Sequence, residues 1–231
     1  MSAFVLKIIA CFTMFIDHVG YLIFNGDSSW FNYVGRLAFP IFAFQISEGY
    51  IHTRGIKKYL LRLSIFAFVS QIPFMLFHSI IDETLGLNVI FTLFLGLVSI
   101  IVYDKYNKFV GFSVAIFLGF IAQILKCDYG FYGVAITFLF YVFSKDKLLL
   151  SASFVVATTI KYSYLFLRYL GTGFQAIAFQ TYLPYFLSTL ASLIIILLYN
   201  KKKGPNTRYL FYLFYPLHMI LIYILNFVLQ S

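Results

Sequence analysis

Charge is scarce in this sequence and lopsided in sign. Of 231 residues only 8 are acidic and 17 basic, 11% of the chain together, against 62% hydrophobic residues. That polar content is too small to cover a water-soluble globule, and it excludes the soluble enzyme and regulator classes. Cysteine is almost missing. In the topology below Cys11 falls in the inner half of the first helix and Cys127 near the outer surface, which excludes a disulfide framework and leaves them as small apolar fillers. There is no internal repeat, no low-complexity segment and no glycine-rich phosphate loop. The net charge of +9 does not indicate a nucleic-acid partner, because the basic residues sit in short loops between apolar runs.

What is abundant is Phe, 30 residues, Tyr, 19 residues, and apolar runs of near-membrane length. Nine stretches, 3–24, 34–52, 58–78, 88–103, 109–126, 130–144, 148–168, 180–199 and 209–229, predict an all-α polytopic transmembrane helical bundle forming one domain over 1–231. Several are shorter than a full crossing, which leaves room for tilted or re-entrant segments. With a cytoplasmic N-terminus, 13 of the 17 basic residues fall on the cytoplasmic side, including Lys7, Arg54, Lys57, Lys58, Lys105, Lys145, Lys201 and Arg208. The other side receives Arg36, Lys126, Lys161 and Arg168 with Asp27, Asp82, Glu83 and Asp128, so the positive-inside bias is strong. The first stretch is read as a helix and not a signal peptide: it carries Asp17 and His18 and has no small-x-small cleavage site.

Asp17 and His18 are adjacent ionisable residues inside the first apolar stretch, "KIIACFTMFIDHVGYLIF". A charge at the centre of a spanning helix costs roughly 2.5 to 3.5 kcal/mol on insertion scales, so such groups face protein or a watery cavity. At 1.5 Å per residue His18 lies roughly 9 Å below the outer edge and Arg36, at the start of the second stretch, roughly 3 Å below it. Neighbouring helical residues point about 100° apart, so each of the pair needs a partner from another helix. Arg36 is the expected partner of Asp17, ordering the first helical hairpin.

The blocks "KIIACFTMFIDHVGYLIF", "GRLAFPIFAFQISEGYIHTR", "SQIPFMLFH", "LNVIFTLFLGL", "DYGFYGV" and "RYLFYLFYPLH" occur in an order and spacing that resemble the TraX family, typified by the conjugative pilin acetylase. The likeness runs from Lys7 to His218, and "DHVG" and "GRLAFPIFAF...EGY" are its most specific parts. The family is in turn similar to membrane acyltransferases that move acetyl groups from cytoplasmic acetyl-CoA to acceptors on the far side.

The resemblance implies an acetyl-CoA-dependent acyltransferase of the bacterial cytoplasmic membrane; the intramembrane residues His18, then Asp17, Arg36 and Glu48, are the candidate catalytic set, with an interhelical hydrogen bond as the alternative for Glu48. A neutral imidazole titrates near working pH and can take a proton from an attacking alcohol or amine; His18 as base or as transient acyl carrier both stay open, as does a structural interhelical histidine. Gln45, Glu48 and His52 share one face of the second stretch, with Arg54, Lys57 and Lys58 at its cytoplasmic end. Together they are expected to line a passage for the CoA arm and meet its phosphates, the alternative being plain positive-inside topology. Glu48 is roughly 12 Å deeper than His18, so no direct contact is expected between them.

Lys161, Tyr164 and Arg168 lie on one face of the seventh stretch and are read as an acceptor site, or as side chains snorkelling outward. His218, beside Pro216, is read as structural. No metal centre and no nucleic-acid partner are expected; the partners are membrane lipid and an envelope acceptor, a pilin N-terminus, a glycan or a lipid. The alternative from another class is a small-solute transporter or lipid flippase using the intramembrane Asp, His, Glu and Lys as a proton or substrate pathway.

Overall fold

Apolar runs that must satisfy their own backbone hydrogen bonds in lipid can form helices, and the chain does so throughout. The computed structural model describes residues 1–24, 30–80, 86–168, 175–205 and 208–230; Asp27, Asp82, Glu83 and the side chain of Arg208 lie outside the described residues. The helices are α1 (Ala3–Phe24), α2 (Trp30–Gly35), α3 (Ala38–His52), α4 (Ile56–Ser79), α5 (Val89–Lys105), α6 (Lys108–Ile124), α7 (Gly130–Val142), α8 (Lys147–Leu167), α9 (Gln175–Leu197) and α10 (Arg208–Gln230). Among the described residues the only β pairing is an isolated parallel bridge between Leu87 and Cys127. The all-α membrane bundle expected from composition is the observed fold.

One predicted stretch is divided. Residues 34–52 were expected as a single helix, but the chain makes a six-residue α2, turns at Arg36 and Leu37, and restarts as α3. Pro40 sits in the first turn of α3, where a missing N–H removes a donor that the helix start would leave unpaired in any case. The break carries Arg36 out of regular helix and presents it to the interior.

Four described segments are long and apolar enough to cross a membrane: Ala3–Ile23, Ile56–Ser79, Lys147–Leu167 and Phe179–Leu197. The shortest of the remaining long elements are α3, with 15 residues, and α7, with 13. At 1.5 Å per residue these reach only about 22 and 20 Å, short of the roughly 30 Å hydrocarbon layer. They are also the most enclosed, with 10 of 15 and 8 of 13 residues buried. The α3 helix packs on α1, α5, α7 and α9, and α7 on α3, α5, α6 and α8. Short helices are tolerated at membrane depth here because protein, not lipid, surrounds their ends. The large apolar side chains exposed on the outer helices, Phe68 and Ile72 on α4, Phe117 and Ile124 on α6, and Ile160 on α8, face outward as a lipid-contacting surface would.

Small residues set the closest approach inside. A β carbon at Gly96 of α5 would collide with Thr137 of α7, and one at Gly133 of α7 with Thr92 of α5, so the two helices meet through reciprocal Gly–Thr pairs. At the other end of the bundle from the cavity described below, the chain start is tied to the α9–α10 connection. Met1 donates its ammonium to the Leu198 carbonyl at 2.5 Å, Ala3 N–H donates to Lys202 at 2.8 Å, and Asn200 N–H donates to Met1 at 2.9 Å.

An amide clasp ties α4 to the start of α5. Asn88 caps α5 by accepting from the Ile90 N–H at 3.0 Å, and its Nδ2 donates to the Ala67 carbonyl at 2.8 Å and to Gln71 Oε1 at 2.9 Å. Gln71 Oε1 also accepts from the Asn88 N–H at 3.0 Å, while its Nε2 donates to the Gly86 carbonyl at 2.9 Å. Asn88→Ala removes the cap and orphans buried groups on both helices, a loss of about 2 kcal/mol or more. The expected outcome is a lower midpoint of thermal unfolding in detergent, with Asn88→Asp, which keeps the cap acceptor, falling between the two; equal midpoints for wild type and Asn88→Ala would remove the clasp from the account of stability.

Candidate functional site

The two short central helices begin at the same end of the bundle, and a cavity of about 100 Å³ opens beside their first turns. Its walls include Asp17, His18 and Tyr21 of α1, Arg36 of the α2–α3 break, Ala38 and Phe39 at the start of α3, His78 of α4, Val89 at the start of α5, Asp128 and Tyr129 before α7, and Tyr215 of α10. Three helix N-termini, those of α3, α5 and α7, therefore meet at one space, and the positive ends of their dipoles face it. The volume is that of about three water molecules, enough for a small group and far below a whole cofactor pocket.

Asp17 and His18 diverge as their helical positions require. Asp17 turns to α2, where the Asn32 Nδ2 donates to its Oδ1 at 3.0 Å; both residues are buried. Gly35 lies directly against the carboxylate, where any β carbon would overlap it. Arg36 donates from Nη2 to the Tyr21 hydroxyl at 3.2 Å and its guanidinium lies 4.6 Å from the Tyr185 ring centroid. Asp17 is an acidic neighbour of Arg36. Asp17 and Arg36 thus share one buried electrostatic environment, with Asn32 as the direct hydrogen-bond partner of the carboxylate.

His18 turns instead toward α10. Its Nδ1 is 2.7 Å from Nε2 of His218, whose Nδ1 donates to the Phe214 carbonyl at 2.8 Å. The Phe77 ring packs against His18 at 4.7 Å between centroids. His78 donates from its own Nδ1 to the Phe74 carbonyl at 2.9 Å and lines the same cavity.

The wall opposite comes from the α6–α7 connection. Asp128 donates its N–H to the Leu87 carbonyl at 2.8 Å, its own carbonyl accepts from the Thr92 hydroxyl, and Leu87 N–H donates to Lys126 at 3.2 Å. Tyr129 follows with φ of 64°, a left-handed conformation that costs a non-glycine residue about 1 kcal/mol or more. That backbone aims its ring onto Phe39, stacked at 3.7 Å and 11°. The Asp128 side chain is open to the cavity although it lies deep among protein atoms, with Arg36, Lys161 and His78 as its charged or titratable neighbours.

Lys161 of α8 points inward and sits among three tyrosine rings, 4.4 Å from Tyr132, 4.6 Å from Tyr129 and 5.3 Å from Tyr162. The hydroxyls of two of those rings are held in turn, Tyr132 by Thr158 at 3.0 Å and Tyr162 by Thr189 at 2.9 Å. A cation on aromatic faces gains about 0.5 to 2 kcal/mol, which offsets part of its burial.

Several expected site residues lie elsewhere. Tyr164 and Arg168 do not share the environment of Lys161: both are exposed, because a step of three residues turns about 60° around the helix and Arg168 follows the end of α8. Glu48 does not reach the cavity; it pairs with His52 at 3.3 Å and lies beside Tyr199. Gln45 donates to the Ala3 carbonyl at 3.3 Å, and its Oε1 and the Ser47 hydroxyl are buried with no hydrogen-bond partner among the described residues. His52, Arg54, Lys57 and Lys58 are exposed at that end. Sequence reasoning passed over His218 as structural, counted Asp128 only as an outer-loop charge, and did not single out His78, Tyr129 or Asn32. The signal was present for His218 and His78, since each is a titratable residue in an apolar helix, as His18 is. Among the described residues no group of three or more His, Cys, Asp and Glu side chains is arranged to hold a metal ion.

A family model described as "TraX protein" matches residues 2–226. The chain belongs to the TraX family. Its similarity to "Probable fimbrial assembly protein FimC, serogroup H1" of Dichelobacter nodosus is 31% identity over 239 residues, covering 96% of this chain and 94% of that protein. No solved structure matches. For this TraX-family chain the cavity unites residues from all six of the blocks that carry the likeness, His78 of "SQIPFMLFH" and Val89 of "LNVIFTLFLGL" among them.

Because Asp17 and Arg36 share one environment, Asp17→Asn and Arg36→Gln should each lower stability, and the double variant should lose less than the sum by about 1 to 3 kcal/mol. Denaturant unfolding of the four proteins in detergent measures this coupling; strictly additive losses would mean that the two charges do not act as a unit.

Proposed function

We propose that this protein is an acyltransferase of the bacterial cytoplasmic membrane that moves an acetyl group from cytoplasmic acetyl-CoA to an amine or hydroxyl on the outer side, with His18 as general base. The observation that carries the reading is one small polar cavity, deep among apolar helices, that places an imidazole beside a guanidinium and three helix N-termini. The positive-inside distribution supports a cytoplasmic chain start and a cavity toward the outer leaflet.

In this reading the acyl end of the donor enters the cavity and the nucleotide stays outside, as a space of about 100 Å³ requires. The acceptor X–H attacks the thioester carbonyl while His18 removes its proton; the carbonyl oxygen gains negative charge opposite Arg36 and the helix N-termini. Collapse breaks the carbon–sulfur bond, the thiolate of CoA leaves, and the proton held by the imidazole passes to it. The products are acetylated X and CoA–SH, and no redox partner is needed. Asp128, open to the same cavity, suits an acceptor that presents an amine or hydroxyl hydrogen to its carboxylate. The relative's name concerns fimbrial assembly; by that likeness the acceptor is sought among surface-fibre subunits first and envelope glycans and lipids second.

Membranes holding the wild-type protein should transfer label from radiolabelled acetyl-CoA into envelope material, and His18→Ala at matched expression should be slower by about 100-fold or more. Equal labelling by both proteins would remove His18 from the mechanism. Absence of labelling by either, in membranes that contain the natural acceptor, would favour solute or lipid transport.

A further inference from the structure

We propose that His218 is a positioning residue that fixes the tautomer of His18, so that the nitrogen left basic is Nε2. The proposal rests on the acyl-transfer reading for its consequence, but the tautomer itself can be measured apart from it.

The argument begins at a backbone carbonyl. A neutral imidazole has one N–H donor and one acceptor nitrogen, whereas a carbonyl can only accept. His218 Nδ1 lies 2.8 Å from the Phe214 carbonyl, so the hydrogen of His218 is on Nδ1. Its Nε2 then presents a lone pair, and it does so to His18 Nδ1 at 2.7 Å. The only complementary arrangement puts a hydrogen on His18 Nδ1, and Nε2 of His18 keeps its lone pair.

The rings have the orientation this bond demands. Their centroids are 4.9 Å apart with planes within 15°, and two imidazoles at that separation bring nitrogens to 2.7 Å only by meeting edge to edge. The N–H and the lone pair therefore lie in nearly one plane, the favourable geometry. His218 is itself clamped: the Phe214 ring stacks on it at 4.8 Å and 12°, and it is 4% exposed. Pro216, two residues earlier, interrupts the hydrogen-bond ladder of α10 in the same turn. His18 is faced by Phe77 and His78 from α4, by Arg36 from the α2–α3 break and by His218 from α10; of these His218 is the one at hydrogen-bond distance.

The chain carbonyl to His218 to His18 performs the part that a carboxylate plays in other base assemblies, holding the second imidazole in one tautomer and one orientation. A carbonyl does so without adding a charge to an apolar interior.

The test uses the full chain in lipid nanodiscs with ¹⁵N-labelled histidine, the His18 resonances being assigned by their loss in His18→Ala. Wild type should show His18 protonated at Nδ1 and bare at Nε2. His218→Phe, which keeps a ring and removes the acceptor, should convert His18 to a mixture of tautomers, and His218→Gln, whose amide oxygen can accept, should restore the wild-type form; His218→Met serves if the Phe variant fails to fold. Acetyl transfer should fall by about tenfold or more in His218→Phe and recover in His218→Gln, with the donor KM unchanged. A wild-type His18 protonated at Nε2, or a His18 tautomer unmoved by His218→Phe, would overturn the proposal. Tautomers that move as expected in proteins that transfer no acetyl group would uphold the assignment and overturn the acyl-transfer reading instead.

Discussion

Ionised groups at membrane depth must be surrounded by protein or pay several kcal/mol each, and the architecture of this chain follows from gathering them in one place. Asp17 leaves α1 toward Asn32 and Gly35, Arg36 enters from an interrupted helix, Asp128 from a short connection and Lys161 from a cage of tyrosines. The set brings two acidic side chains together with a guanidinium and an amine. Each is supplied by a different part of the chain, so the cluster forms only when α1, α2, α7 and α8 are all in place.

The brevity of α3 and α7 makes the room. Helices that stop short of the membrane surface would expose unpaired N–H groups to lipid if they stood alone, but both are wrapped on several sides by other helices. Their first turns are buried beside the cavity, so the positive ends of their dipoles lie inside the protein. The left-handed Tyr129 and the pinned Asp128 are the irregular backbone that this arrangement requires, and both lie against the cavity and not against lipid.

Much of this was legible beforehand, for identifiable reasons. Hydropathy exposes helices wherever a run must be apolar around its whole circumference, so α1, α4, α8 and α9 were plain. Asp17 and His18 stood out because the solvent they displace is lipid. The division of 34–52 was not legible, since Gly35 and Pro40 are compatible with a helix start and with a kinked continuous helix alike. Glu48 drew attention by its polarity, yet near a helix end a carboxylate can be satisfied by a neighbour four residues on, as His52 satisfies it. Lys161, Tyr164 and Arg168 share a face on a helical wheel but not an environment, because spacing is blind to where protein ends and lipid begins.

The sequence by itself determined the helical membrane class, the family and the first two residues of the site, since hydropathy, charge placement and ordered blocks are properties of the chain read along its length. The tertiary structure decided the partners. Asp17 and His18 are neighbours in sequence that part company in space, while His18 and His218, 200 residues apart, meet at 2.7 Å. A hydrogen bond depends on position and direction to within tenths of an ångström, and only the packing of α1 against α10 supplies both.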